Sequence, residues 1–156
     1  MPESDSGSIS QDLALAIAAD SVDIVEDLLL SDRFNINSVD KRGHTPLTIA
    51  CAYGRTGIVK HLLDKRAEVS KTIGNTGMTA LHVAASNGYQ DIVKILLQNG
   101  ARREVRDMSG STACDLAEVP PQPLFNQDIS PRRLEDGDHQ LIRMRQACMI
   151  ALGSSQ

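Results

Sequence analysis

The chain has 156 residues and an apolar share of 41%, yet it holds no Trp, two Tyr and two Phe. Its core must be built from Leu, Ile, Val and Ala, which suits closely packed helices better than an all-β sandwich. A net charge of −4 gives no overall attraction to nucleic acid or anionic membrane, and no apolar run approaches the ~20 residues of a membrane span.

The opening MPESDSG (residues 1–7) is polar and acidic and lacks the basic and apolar regions of a secretory signal; it is expected to be a disordered tail. Ser8-Ile9-Ser10-Gln11 offers a capping box into a first helix. Leu13 and Ala16, then Ile24, Val25, Leu28 and Leu29, have the spacing of a short helix pair. Asp20, Asp23, Glu26 and Asp27 interrupt these apolar positions, as suits the solvated outer face of a terminal unit.

The next two segments repeat one another. GHTPLTIACAYG (Gly43–Gly54) returns as GMTALHVAASNG (Gly77–Gly88), 34 residues later, and GSTACDLA begins a further copy at Gly110. Thr45, Leu47, Ala50, Gly54, Ile58, Val59, Leu62 and Leu63 match Thr79, Leu81, Ala84, Gly88, Ile92, Val93, Leu96 and Leu97, and the first helix pair lies at the same offset. A period in the low thirties marks a solenoid of stacked supersecondary units. Gly43, Gly77 and Gly110 mark tight turns of positive φ. Thr45 and Thr79 are placed as N-caps, and Pro46 takes the first helical position, where its missing N–H costs nothing. Gly54 and Gly88 are placed to end the first helix of each pair, and Asn99-Gly100-Ala101 closes a second.

These landmarks resemble the ankyrin repeat family, with its pattern D-x-x-G-x-T-P-L-H-x-A-A-x-x-G-x-x-x-I-V-x-x-L-L-x-x-G-A, over Leu13 to Ala117. The resemblance implies an all-α repeat solenoid of about four helix-turn-helix units, the last incomplete, divided near 8–39, 40–73, 74–106 and 107–118. It departs from the pattern at Thr48, where the family usually has His, whereas His82 keeps it. Ala80 replaces Pro and Gly74 stands for the leading Asp. The connection over Lys71–Asn75 is one residue longer than standard, so a displaced finger is expected there.

After Glu118-Val119 the prolines of PPQP end the pattern, and residues 119–137 read as a loop. Ser130-Pro131-Arg132-Arg133 within it has the form of a phosphorylation site, a common one in loops. Residues 138–152 place Leu141, Met144, Cys148 and Leu152 on one helical face, widened by Ile142, Met149 and Ala151. This amphipathic helix is expected to cap the stack in place of the missing second helix of the fourth unit; docking on a partner or a second copy is the alternative. With Met1 at one end and GSSQ at the other, the chain is expected to be a complete small protein.

Sites of covalent or cofactor chemistry are not indicated. His44, His61, His82 and His139 occur singly or at repeat positions, and no nucleotide-binding glycine motif is present. Cys51, Cys114 and Cys148 lack metal-site spacing and read as small buried groups of a reducing compartment. No catalytic residue, metal or cofactor is expected, and the chain is expected in cytoplasm or nucleus. Charge is segregated: residues 1–40 hold nine acids and one Arg, whereas residues 41–110 hold eleven Lys or Arg and five acids. Such a basic middle would steer an acidic segment of a partner, although solvated helix faces give a similar tally.

The resemblance further implies a protein-binding surface made of turn tips and the exposed side of the first helices. Its variable positions fall here on Lys41, Arg42, His44, Ala52 and Tyr53, then Asn75, Thr76, Met78, Ser86 and Asn87, then Met108, Ser109 and Ser111. Tyr53 and Met78 are the expected anchors; packing against the neighbouring repeat competes for Tyr53, and shielding of the next turn for Met78. The expected function is a non-enzymatic adaptor or inhibitor, monomeric, that occupies the surface of a protein partner. The alternative is a self-associating module joined through acidic cap and basic middle or through the C-terminal helix.

Overall fold

The computed structural model describes residues 11–30, 34–118 and 138–153. The expected tail over 1–7, Ser8 to Ser10 of the capping box and the expected loop over 119–137, with its Ser-Pro site, lie outside the described residues.

Among the described residues eight helices follow in order: α1 Gln11–Ala18, α2 Val22–Leu30, α3 Pro46–Ala52, α4 Thr56–Asp64, α5 Ala80–Ser86, α6 Gln90–Gln98, α7 Ala113–Glu118 and α8 Asp138–Gly153. All but the last have nine residues or fewer, below the ~12–15 at which an isolated helix becomes even marginal in water. Packing must hold them. α1, α3, α5 and α7 contact one another in sequence as an inner layer, and each packs on its own outer partner, α2, α4, α6 or α8. α2 also meets α4, α4 meets α6 and α6 meets α8.

The core repeats with the sequence. Leu13, Leu47 and Leu81 are fully buried, as are Val25, Val59 and Val93. Ala16, Ala50, Ala84 and Ala117 form a column of small buried residues between the inner helices. Small side chains at this column let short helices approach closely enough to exclude water between repeats.

Among the described residues, α1, α3, α4, α5 and α6 each end in the same backbone lock. The N–H of Arg55 donates to the Ala50 carbonyl at 2.9 Å and that of Gly54 to Cys51 at 3.3 Å, with Gly54 at φ +68°. This is a Schellman closure, in which one left-handed residue satisfies the last carbonyls of the helix. It recurs after α5 with Gly88 and after α6 with Gly100. After α1 and α4, however, the left-handed place is filled by Asp20 at φ +60° and Arg66 at φ +65°. Gly54 has a second duty, since a Cβ there would stand 2.6 Å from the ring of Tyr89.

α8 occupies the outer place that α2, α4 and α6 hold in their repeats. It packs against α5, α6 and α7, buries Cys148 and Leu152, and half-buries Met149 and Ala151. The guanidinium of Arg103 donates to the Leu152 carbonyl at 2.8 Å and fixes its far end. The side chains of residues 138–145, Leu141, Ile142 and Met144 among them, lie outside the described ones.

Two outcomes are expected. Removal of Asp138–Gln156 exposes the outer faces of α6 and α7 and lowers stability by about 2 kcal/mol or more in urea unfolding. Arg66→Gly relieves the left-handed strain and raises stability by ~0.5–1 kcal/mol, whereas Gly100→Ala lowers it by a similar amount.

Candidate protein-interaction surface

Between one outer helix and the next inner helix the chain turns through a finger. In the first finger the carboxylate of Asp40 organises the turn: Oδ1 accepts from the N–H of Arg42 at 2.9 Å and of His44 at 2.8 Å, and Oδ2 lies 3.0 Å from His44 Nδ1. The third finger repeats this with Asp107, whose Oδ1 accepts from the N–H of Ser109 and Ser111 at 2.8 and 3.0 Å and from the Ser109 hydroxyl at 2.6 Å. Burial works to raise both carboxyls, but these hydrogen bonds prevail and hold them below the ordinary range.

The second finger is built differently. Ile73, not Gly74, takes the place of the leading Asp: its N–H donates to the Met78 carbonyl at 2.8 Å, as Asp40 does to His44 and Asp107 to Ser111. The additional residue therefore falls within the tip, at Gly74–Thr76, rather than before it. Without a carboxylate, the tip is closed by the N–H groups of Thr76 and Gly77 on the Ile73 carbonyl, and by the Thr76 hydroxyl accepting from Met78 N–H at 3.3 Å. This tip lies against the first finger, where a Cβ on Gly43 would stand 2.6 Å from Gly74 N. The Thr76 carbonyl accepts from Met108 N–H at 2.9 Å, which joins the second finger to the third.

The fingers lead into caps of two kinds. In α3, Thr48 N–H donates to Thr45 Oγ1 at 3.2 Å and Thr45 N–H to Thr48 Oγ1 at 2.8 Å, a reciprocal capping box. In α5 the matching group is His82, fully buried. Its Nδ1 accepts from Thr79 N–H at 3.2 Å and lies 2.8 Å from Thr79 Oγ1, so Nε2 carries the proton and donates to the Ser111 carbonyl at 3.2 Å. His82 thus straps the third repeat to the next finger, whereas Thr48 is too short to cross. Burial pushes its pKa down, against the opposing pull of Ser111 and Asp107, and keeps the ring neutral.

Of the anticipated binding positions, Lys41, Arg42, Asn75, Met108 and Ser109 are exposed; Thr76 and Ser111 are half-buried. Ala52 and Tyr53 are half-buried against the core at the end of α3. Ser86 and Asn87 are also half-buried, with the Ser86 hydroxyl and the Asn87 amide both donating to the Val83 carbonyl. Two positions differ from expectation. Met78 is 5% exposed and belongs to the core, because the finger has already turned inward at the residue before the Thr cap. His44 holds the equivalent place and is buried against Asp40 for the same reason. The methionine left outside is Met108, 76% exposed, whose register matches the exposed Lys41.

Among the described residues, no group of three or more His, Cys, Asp or Glu is placed to hold a metal ion, and no helix is long and apolar enough to cross a membrane. Cys51 is fully buried, and desolvation raises its thiol pKa far above the ordinary value.

Paired short helices in two layers, joined by fingers on one side, define a helical repeat solenoid. A family model described as ankyrin repeats, in three copies, matches residues 13–107, and the chain belongs to the ankyrin repeat family. No curated protein matches the chain. Ankyrin repeats generally serve as protein–protein interaction modules and are typically non-enzymatic.

His82 sets an acid limit on stability. Its folded pKa lies below the ~6.5 of an unfolded histidine, so its contribution is complete above that pH and is lost as pH falls from there toward the folded value. The lowered Asp40 and Asp107 add a second loss nearer the carboxylate range, below about pH 4. His82→Thr, which copies the Thr48 box, is expected to flatten the first limb in chemical denaturation at pH 5 to 7. His82→Ala is expected to cost about 2 kcal/mol or more at neutral pH.

Proposed function

We propose that the chain is a non-enzymatic adaptor or inhibitor that holds a protein partner on its fingers and on the exposed ends of its inner helices. The observation that carries this reading is the preorganisation of the fingers. Each is closed by its own hydrogen bonds before any partner arrives, and the second and third are bonded to one another. A surface already ordered loses little entropy on binding, so its contacts convert to affinity with small offset.

The roles divide by chemistry. Met108, a flexible apolar side chain set outside a rigid turn, is the main apolar anchor, with Tyr53 beside the inner-helix ends as the second. Lys41 and Arg42, exposed at the first tip, favour a partner segment that carries Asp or Glu. Asn75 and Ser109 add polar contacts at the other tips. Met78 and His44 serve the surface from beneath, by fixing where the fingers return to the stack. The chain acts as a monomer in this reading, in cytoplasm or nucleus.

Capture from the native cell extract on immobilised wild-type chain, compared with a folded Tyr53→Ala/Met108→Ala variant, tests the assignment. The expected result is a protein retained by wild type and lost by the variant, with retention by wild type weakened as salt rises. A protein retained equally by both would remove this surface from consideration.

A further inference from the structure

The first repeat carries an apolar face that its successors cover. Ile49 of α3 and Val83 of α5 occupy one repeat position and are buried; Leu15, the same position in α1, is 60% exposed. Ile58 and Ile92, opening α4 and α6, are also buried, whereas their counterpart Ile24 in α2 is 53% exposed. The helices that carry these internal residues have a preceding helix pair against them, and among the described residues α1 and α2 have none. Leu30 is not part of this face, since its counterparts Asp64 and Gln98 are exposed in every repeat.

The charge of the face is as specific as its apolar part. Asp12 lies three residues before Leu15, and Asp27 three after Ile24, so each helix shows one acid and one apolar group on a common side. In the later repeats the places of Asp12 and Asp27 hold Pro46 and His61, then Ala80 and Ile95, all buried or half-buried. An acid therefore stands where the stack elsewhere packs proline, alanine, isoleucine or histidine. Asp23, by contrast, matches the exposed Gly57 and Asp91 and points away from any repeat junction. Glu26 is turned to the next repeat, 3.9 Å from Lys65.

We infer that the open face of α1 and α2 docks an amphipathic helix of a partner protein, with Leu or Ile along its centre and Lys or Arg at its edges to meet Asp12 and Asp27. The seating is the one that α1 and α2 themselves take on α3 and α4. Pairing of two copies through this face would set acid against acid. The N-terminal decapeptide would bring Glu3 and Asp5 to the same acids, with Met1 and Ile9 as its large apolar residues. The inference is independent of the finger surface, which lies along another side of the stack.

The test uses the full chain and a synthetic amphipathic peptide with Leu and Ile on one face and Lys at both edges, its twin bearing Glu in place of Lys. Binding is read by fluorescence anisotropy of the labelled peptide. Expected is saturable binding of the Lys peptide and none of the Glu twin. Leu15→Ser/Ile24→Ser weakens it by about tenfold or more, and Asp27→Lys weakens it clearly more than Asp23→Lys on the same helix. Tyr53→Ala/Met108→Ala leaves it unchanged. All substituted residues but the half-buried Tyr53 are exposed, and circular dichroism confirms that each variant keeps the fold. No binding, or equal loss in Asp27→Lys and Asp23→Lys, overturns the inference. So does concentration-dependent self-association that Leu15→Ser/Ile24→Ser abolishes, because it gives the face to a second copy.

Discussion

A helix of seven to nine residues cannot hold itself in water, and this constraint governs the molecule. Each inner helix borrows stability from its outer partner and from the repeats before and after it. The buried columns of Leu and Val run through the first three repeats, and that of Ala through all four, because no single pair could enclose them. α8 answers the constraint at one end, where α7 has only six residues and α8 supplies the outer layer. At the other end no other described helix pair precedes α1 and α2, and Leu15 and Ile24 are exposed.

The fingers turn this architecture into a surface. Their geometry rests on local groups, a carboxylate in the first and third and a threonine hydroxyl in the second, rather than on the core. Tip residues can therefore vary without disturbing the stack, provided that the returning residues before the Thr45 and Thr79 caps stay buried. Met78 and His44 meet that condition with different chemistry, one by filling space and the other by pairing with Asp40.

Much of the fold could be read before any coordinates, because glycine, threonine and proline act locally. The left-handed glycines 43, 54, 77, 88, 100 and 110, and the caps at Thr45 and Thr79, depend on neighbours a few residues away, and a single sequence carries that information. The exposure of a side chain depends on what stands across from it, and there sequence was weaker. Met78 reads as a tip residue until the finger is seen to return at that point, and the additional residue of the second finger hid the register. Aligning Met78 with His44 and Ser111 and Met108 with Lys41, from the cap outward, would have exposed the difference. Asp20 and Arg66 in left-handed backbone were also hidden, because neither residue announces that conformation. The open face of the first repeat was masked by its acids, which read as a solvated cap although Leu15 and Ile24 stand among them.

The straps between fingers sit at different heights along the surface. The second and third fingers are tied by the Met108–Thr76 backbone bond and by His82 reaching Ser111, whereas the first and second are tied where the chain enters them, with Asn37 accepting from the Glu68 N–H and from Lys71 Nζ, and their tips meet in the close approach of Gly43 to Gly74. The first seam is thus held at the entry to the fingers, and the second at their tips. Lys41 and Arg42 therefore stand above a seam tied from beneath, while Met108 stands on a tip bonded directly to its neighbour. The row of fingers is thus anchored at two levels, by Asn37 at the first seam and by His82 and Met108 at the second.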